Sequence, residues 1–233
     1  MISFVLHLKT SSAIAPGSGE SRAGVLDREV VHDDLGLPVI PARRLKGILR
    51  EAALDVHDNL NAFPLWIESR LETTDALFGE TGQGQPGPFR LGDARLPDHE
   101  ELRRWLKDAS SRGDDARYFH PEAVLMAYTE QRSQTAMDPQ SGGPQQDSLR
   151  VTRVLRPDLE FVAEGQLVVD DSDSNANTLL LLALACRSAR RMGLSRNRGL
   201  GRVDISLECS GMAPLPTEDE LTAELLAAAE RRQ

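Results

Sequence analysis

Ile2, Phe4, Leu6 and Leu8 alternate with Ser3, Val5, His7 and Lys9, the period-two spacing of a strand with one buried face. Thr10 to Arg22 is rich in Ser, Gly, Ala and Pro and reads as a loop. Leu45, Ile48, Leu49, Ala52 and Ala53 then fall on one face of a helix running from Ala42 to about Leu60. A second helical stretch from about Leu65 to Leu77 stops at Phe78-Gly79, and the Gly/Gln/Pro run from Gly79 to Pro88 is a loop. Phe89 to Leu96 predicts a short strand and Glu100 to Asp108 a charged, exposed helix. Residues 110–150 carry little regular patterning apart from Ala123 to Thr129, and they hold the loop Asp138 to Asp147. Val151 to Leu155 and Glu160 to Val169 read as strands around the turn Arg156-Pro157-Asp158. Thr178 to Met192 is a strongly apolar helix, and Val203 to Leu207 alternates as a last strand. The tail, Thr217 to Arg232, opens on Thr-Glu-Asp-Glu, the N-cap and capping-box signature of an amphipathic helix.

The order strand, helix, strand, insertion, strands, helix, strand suits an α+β protein with a ferredoxin-like β-α-β-β-α-β core decorated by long insertions. Its 233 residues are enough to bury a substantial core. The longest apolar run, Leu179 to Cys186, is far short of the roughly 20 residues that span a bilayer. Met1 to Lys9 lacks a basic n-region and a small-residue cleavage site, so a cytoplasmic location is expected, with no membrane partner. Cys186 and Cys209 have neither a metal-ligand spacing nor a disulfide framework, and both read as small buried hydrophobes.

The net charge of −9 argues against an indiscriminate polyanion binder, whose affinity would come from neutralising phosphates. Against that background Cys186 to Val203, CRSARRMGLSRNRGLGRV, holds six arginines and no carboxylate. Gly193, Gly199 and Gly201 let backbone approach a ligand closely, and exposed N–H groups flanked by guanidinium groups suit phosphate oxygens. The alternative is a glycine turn capping the helix, its arginines satisfying the last carbonyls. The glycines follow a helix and precede a strand, the reverse of a dinucleotide fingerprint. A second basic segment is Leu37 to Arg50, where a proline-fixed loop enters a helix carrying Arg43, Arg44, Lys46 and Arg50 near its positive N-terminus. The alternative there is an ordinary solvated helix face.

Val25 to Ala52 (VLDREVVHDDLGLPVIPARRLKGILREA), Leu77 to Gly82 (LFGETG) and Gly193 to Val203 (GLSRNRGLGRV), in this order and spacing, resemble the RAMP superfamily of CRISPR systems. The backbone subunits of type III RNA-guided effector complexes are the most similar in character. The resemblance covers Met1 to about Cys209 and takes in Arg132 to Gly165, where the family places a hairpin "thumb" before a strand. It implies an RNA-recognition-like ferredoxin fold in one domain, residues 1–210, with insertions at about 63–150, a thumb at about 130–150, and a C-terminal amphipathic helix at 211–233. It further implies polymerisation along a guide CRISPR RNA, with the thumb intruding on the guide–target duplex. RNA contacts are implied for Arg43, Arg44, Lys46, Arg50, Arg132, Arg191, Arg196, Arg198, Gly199, Gly201 and Arg202, with Lys46, Arg50 and the loop Arg196 to Arg202 on the guide backbone. The family's cleavage aspartate falls on Asp27, in Gly24-Val25-Leu26-Asp27-Arg28-Glu29-Val30-Val31. One departure is Pro41-Ala42-Arg43-Arg44, where the family usually shows Pro-Gly-Ser-Ser before Leu-Lys-Gly.

A single carboxylate can bind a divalent ion, expected to be Mg²⁺, that stabilises charge on the phosphorane and helps activate a 2′-hydroxyl. Asp27 is therefore both the catalytic and the metal-binding candidate, while a lone loop aspartate can equally be turn chemistry. Among His7, His32, His57, His99 and His120, only His32, five residues from Asp27, is a candidate proton carrier. Three readings follow: a target-cleaving ribonuclease subunit, a purely structural RNA-binding subunit with Asp27 idle, and a repeat-processing endoribonuclease using a histidine base. The expected partners are guide CRISPR RNA, complementary target RNA, other RAMP subunits and copies of this chain. Glu218, Asp219, Glu220 and Glu224 give the C-terminal helix an acidic face suited to a neighbour's basic surface. Deleting residues 214–233 is expected to lower the assembly size read by light scattering; an unchanged mass rules this docking role out.

Overall fold

In the computed structural model, which describes residues 1–17, 26–61, 74–79, 87–168, 172–196 and 198–209, the N-terminal alternation becomes a buried strand. Phe4, Leu6, Leu8 and Thr10 point inward and Ser3, His7 and Lys9 outward. The chain runs β1 (Ile2–Thr10), β2 (Val39–Ile40), α1 (Ala42–Asn61), α2 (Thr74–Phe78), β3 (Phe89–Leu91), β4 (Ala94–Arg95) and α3 (His99–Ser110). It continues through a 3₁₀ turn (Gly113–Tyr118), α4 (Pro121–Tyr128), β5 (Thr129–Gln134), β6 (Arg150–Leu155), β7 (Glu160–Leu167), α5 (Ser172–Ser188) and β8 (Val203–Cys209).

The main sheet is antiparallel throughout, in the order β2-β4-β7-β1-β8, with β3 also on β7. Leu45, Leu49 and Ala53 of α1 and Leu179, Leu182, Ala185 and Cys186 of α5 share one core cluster with Phe4, Leu6 and Leu8, so both helices cover the same sheet face. Each fully buried leucine contributes about 1.5–3 kcal/mol. The other face is bare and polar: Ser3, His7, Lys9, Glu160, Glu164, Asp204, Ser206 and Glu208 are exposed. β5 and β6 form a separate two-stranded sheet.

Four elements differ from the sequence expectation. The strand expected over Phe89 to Leu96 is two strands, because Gly92-Asp93 interrupts it: Gly92 N–H donates to Glu164 O at 2.8 Å, and Asp93 Oδ1 accepts from Ala42 N at 2.8 Å. The helix expected over Thr178 to Met192 begins at Ser172 and ends at Ser188. Beyond it the chain doubles back, Met192 N–H donating to Gly201 O at 2.7 Å and Val203 N–H to Arg190 O at 3.1 Å. The poorly patterned region 110–150 holds the 3₁₀ turn, α4 and β5. The Thr10 to Arg22 loop is buried from Ala13 to Gly17, as far as it is described. Most of the helix expected over Leu65 to Leu77, and the tail helix at 211–233, lie outside the described residues. No helix among the described residues is long and apolar enough to cross a membrane. Cys186 is buried, and burial pushes its thiol up to about 12, while Cys209 is half-buried and its thiol is also raised by burial.

Gly165 of β7 faces Phe4 of β1, whose ring stacks on Phe89 with centroids 5.5 Å apart and planes at 4°. A Cβ at Gly165 would lie 2.2 Å from the Phe4 ring and 2.9 Å from Arg90 O. Gly165→Ala is therefore expected to lower stability by about 1–3 kcal/mol through overpacking. Urea unfolding should show a lower midpoint at unchanged m-value.

Candidate nucleic-acid interface

The residues that leave β1 organise the surface beside it. On one side Ile14 and Leu155 exchange backbone hydrogen bonds, Ile14 N to Leu155 O at 3.1 Å and Leu155 N to Ile14 O at 2.8 Å, which ties Ile14 to the root of the β5–β6 hairpin. On the other side Gly201 N donates to Ala13 O at 2.9 Å and Leu194 N to Ala15 O at 2.9 Å, which ties the same segment to the arginine-rich loop. Ala13, Ala15, Val154 and Leu200 close over these bonds as a small satellite core. The two features singled out by the sequence are thus anchored to the two edges of one short stretch of chain.

Asp27 sits at the hairpin root. The segment around it adds a third, parallel strand to β6: Arg28 bridges Thr152, Asp27 N donates to Val151 O at 2.9 Å, and Arg153 N donates to Arg28 O at 3.0 Å. The Asp27 side chain is exposed, and its Oδ2 accepts from Val151 N at 2.6 Å. Because Thr152 also pairs with Arg132 of β5, Arg28, Thr152 and Arg132 lie in one row across three strands. Arg132 ion-pairs with Glu130 at 2.8 Å on its own strand. Arg28 and Arg150 are exposed and pair with nothing among the described residues. The hairpin beyond this row is exposed, with Met137 and Leu149 among its solvent-facing side chains.

The arginine-rich loop carries four left-handed residues, Gly193, Ser195, Gly199 and Gly201. Two glycines serve the fold: a Cβ would lie 2.5 Å from Ala15 O at Gly193 and 2.5 Å from Met192 O at Gly201. At Gly199 a Cβ would meet nothing within 4 Å, so this is the glycine with open space above it. Gly201, expected to meet a ligand, is thus needed for the chain's own close approach to Met192. Arg187 lies in the last turn of α5, which ends at Ser188, and the arginines beyond it serve the loop. Arg191 Nη1 donates to Arg196 O, and Arg196 Nη1 ion-pairs with Glu51 Oε2 of α1 at 3.2 Å, fastening the loop to α1. Arg187, Arg190, Arg198 and Arg202 are exposed, and their side chains are unpaired among the described residues.

The basic face expected on α1 is divided. Lys46 is half-buried, its Nζ 3.1 Å from Phe89 O and 5.8 Å from the Phe89 ring centroid, and burial lowers its pKa, with Arg50 adding to the effect. Arg50 donates to Gly79 O at 3.0 Å and ion-pairs with Asp75, holding α2 against α1. Arg43 and Arg44 are exposed and unpaired among the described residues. The first helical N–H, that of Ala42, already meets Asp93, so the anion that end would attract is supplied from within.

Glu29, the residue after Arg28, is buried and pairs with Arg153 of β6, a partnership no sequence signal marks. Asp33, partly buried, ion-pairs with Arg103 and lies 3.4 Å from His99 Nε2, whose pKa is lowered chiefly by burial. His32 Nδ1 is 2.8 Å from Asp33 O. His120 Nδ1 accepts from Ala123 N at 3.2 Å and caps α4. Among the described residues no group of three or more His, Cys, Asp or Glu side chains is placed to hold a metal ion. Asp27 keeps one carboxylate oxygen free while the other accepts from Val151 N, a donor set that suits an ion taking its remaining ligands from water and substrate phosphate.

Comparison with known proteins brings these pieces together. The family model of the RAMP superfamily matches residues 7–204, from the end of β1 through Asp27, the hairpin and the arginine-rich loop. No curated protein matches the sequence. Among solved structures the chain is similar to a chain of type III-B Cmr-beta in the apo state, determined by cryo-electron microscopy. The TM-score is 0.60 at 12% identity, covering 90% of this chain and 98% of that one. It is similar also to a chain of type III-B Cmr-beta bound to cognate target RNA, with a TM-score of 0.61 at 11% identity, covering 89% and 97%. At these identities the likeness is one of fold.

The two loop glycines are expected to respond differently. Gly199→Ala should cost only the left-handed backbone penalty, about 1–2 kcal/mol, whereas Gly201→Ala adds the clash with Met192 O and should cost more. Thermal unfolding of the two variants checks the order, and equal losses would mean that the approach to Met192 O is not what requires glycine at 201.

Proposed function

The chain belongs to the RAMP superfamily, and on that premise we propose that it is a guide-RNA-binding backbone subunit of a type III CRISPR effector complex that cleaves the complementary target RNA with Asp27. The likeness to chains of Cmr-beta, one of them from a complex bound to cognate target RNA, supports RNA and neighbouring subunits as its partners. The antiparallel order β8-β1-β7 with β3 and β4 beyond, and α1 and α5 on one face, supports a ferredoxin-like core. The β5–β6 hairpin is its thumb.

The observation that carries the catalytic reading is the place of Asp27: an exposed carboxylate at the root of the projecting hairpin, beside the row Arg28, Thr152 and Arg132. In the reaction a target 2′-hydroxyl attacks the adjacent phosphate. The P–O2′ bond forms as the P–O5′ bond breaks; the 2′-hydroxyl proton passes to solvent and a water protonates the departing O5′, leaving a 2′,3′-cyclic phosphate and a 5′-hydroxyl. Arg28 and Arg132 hold the target backbone at this point by contacts to phosphate oxygens. The free Arg43, Arg44, Arg198 and Arg202, with the open backbone at Gly199, hold the guide. The hairpin fixes the geometry of the target nucleotide, and positioning of this kind supplies several kcal/mol of a barrier. The free carboxylate oxygen of Asp27, with water and the RNA, would hold a divalent ion, Mg²⁺ in this reading, which would stabilise charge on the phosphate and help activate the 2′-hydroxyl.

One observation favours a non-catalytic subunit of the same kind of complex: Asp27 Oδ2 is already committed to Val151 N–H, as a purely structural turn residue would be. Asp27→Asn separates the two readings, since an amide oxygen still accepts that hydrogen bond. The test is to co-express the chain with partner subunits and a CRISPR array, sequence the bound RNA, and add labelled complementary RNA with Mg²⁺ or EDTA. Asp27→Asn and Asp27→Ala are both expected to retain guide and lose about 10²–10⁴-fold in cleavage rate, with EDTA abolishing the wild-type reaction. Bound guide without wild-type cleavage leaves the structural subunit, and absence of bound RNA removes both readings.

A further inference from the structure

Glu29 and Arg153 expose 4% and 2% of their side chains, yet both are charged. Arg153 Nε approaches Glu29 Oε1 at 3.0 Å as an ion pair rather than an aligned hydrogen bond, and Arg153 Nη2 donates to Glu122 Oε1 at 2.6 Å. Glu29 Oε1 also accepts from Val30 N at 2.9 Å. The three side chains come from three places: the strand carrying Asp27, the hairpin strand β6, and helix α4. Ordinary core packing would serve stability here as well or better, because desolvating buried charges consumes most of their mutual attraction. What the cluster adds is geometry. The Arg153 guanidinium lies between two carboxylates from different elements, ion-paired with Glu29 on its Nε side and bonded to Glu122 through Nη2, which ties the backbone two residues from Asp27 to β6 and α4.

We propose that Glu29, Arg153 and Glu122 are positioning residues that lock the Asp27 strand to the hairpin root, so that Asp27 moves only with the hairpin. Nucleic acid seated on the hairpin then sets the position of Asp27, and its catalytic consequence rests on the function proposed above. Three backbone amides report the lock directly: Asp27 N on Val151 O, Arg153 N on Arg28 O, and Val151 N on Asp27 Oδ2.

The test compares hydrogen exchange in the guide-loaded complex of wild type with that of two mild variants. Glu29→Gln keeps an acceptor for Val30 N–H without the charge, and Arg153→Lys keeps the charge without the fork. Both are expected to speed exchange of the three amides about 10- to 100-fold, the equilibrium factor of one charge-assisted hydrogen bond, with the β5–β6 ladder still protected. Unchanged exchange at these amides, or loss of protection throughout the hairpin, overturns the lock. In single-turnover cleavage at saturating target, both variants should be about 10- to 100-fold slower with unchanged target affinity. Neither should slow Asp27→Ala further. Faster exchange with an unaltered cleavage rate overturns the positioning role. A wild type that does not cleave, while the amides respond as expected, removes the proposed function and leaves the lock standing.

Discussion

Five residues, Ser11 to Ala15, hold together everything that gives this surface its character, and they do so with backbone. Ser11 and Ser12 donate to Arg202 O at 3.0 and 3.3 Å, Ala13 and Ala15 accept from the arginine-rich loop, and Ile14 exchanges both its hydrogen bonds with Leu155. Buried N–H and C=O groups must be paired, so neither neighbour can detach without orphaning polar groups inside the satellite core. The small side chains matter because they let three stretches of chain approach this closely; Gly193 and Gly201 complete the fit where even a methyl group would collide with carbonyl oxygen.

Charge differs from face to face. The bare side of the main sheet presents Glu160, Glu164, Asp204 and Glu208, with Lys9 partnered to Glu160 and His7 close to Glu208. The same side also carries the exposed Arg90 and Arg95, which pair in register with Gln166 and Val162, so it mixes both signs of charge. Besides Arg90, the arginines without internal partners among the described residues lie on the loop after α5, at the start of α1 and at the hairpin root. A net charge of −9 is thus compatible with a polyanion-binding edge, because the acidic surplus is held elsewhere.

The elements readable from sequence were those whose periodicity reflects burial on one face: β1, α1, the core turns of α5, and β8. The Ser11 to Ala15 segment was unreadable because its burial comes from backbone pairing of small residues, and composition alone makes it look like solvent-exposed loop. Asp27 was legible only through its surrounding motif, and its bond to Val151 depends on a partner 124 residues away. Arg153 falls between Val151 and Leu155 in a pattern where an arginine normally marks the wet face. The burial of Glu29 opposite it reverses that rule. Lys46 and Arg50 lie one turn apart on the flank of the apolar stripe of α1, which turns them towards Phe89 and Asp75 while Arg43 and Arg44 stay in solvent. Nothing in a string of glycines distinguishes Gly199, with open space above it, from Gly201, pressed against Met192.

The parallel bridge of Arg28 to Thr152, with its flanking backbone bonds, has a consequence for the edges of the hairpin. A two-stranded hairpin has two raw edges, each a template for uncontrolled pairing with another chain. Here one edge is already occupied by the chain's own strand. The other, β5, carries Glu130, Arg132 and the polar Gln131, Ser133 and Gln134, a poor template for further strands. Neither edge of the hairpin therefore offers a ready template for strand pairing with another chain.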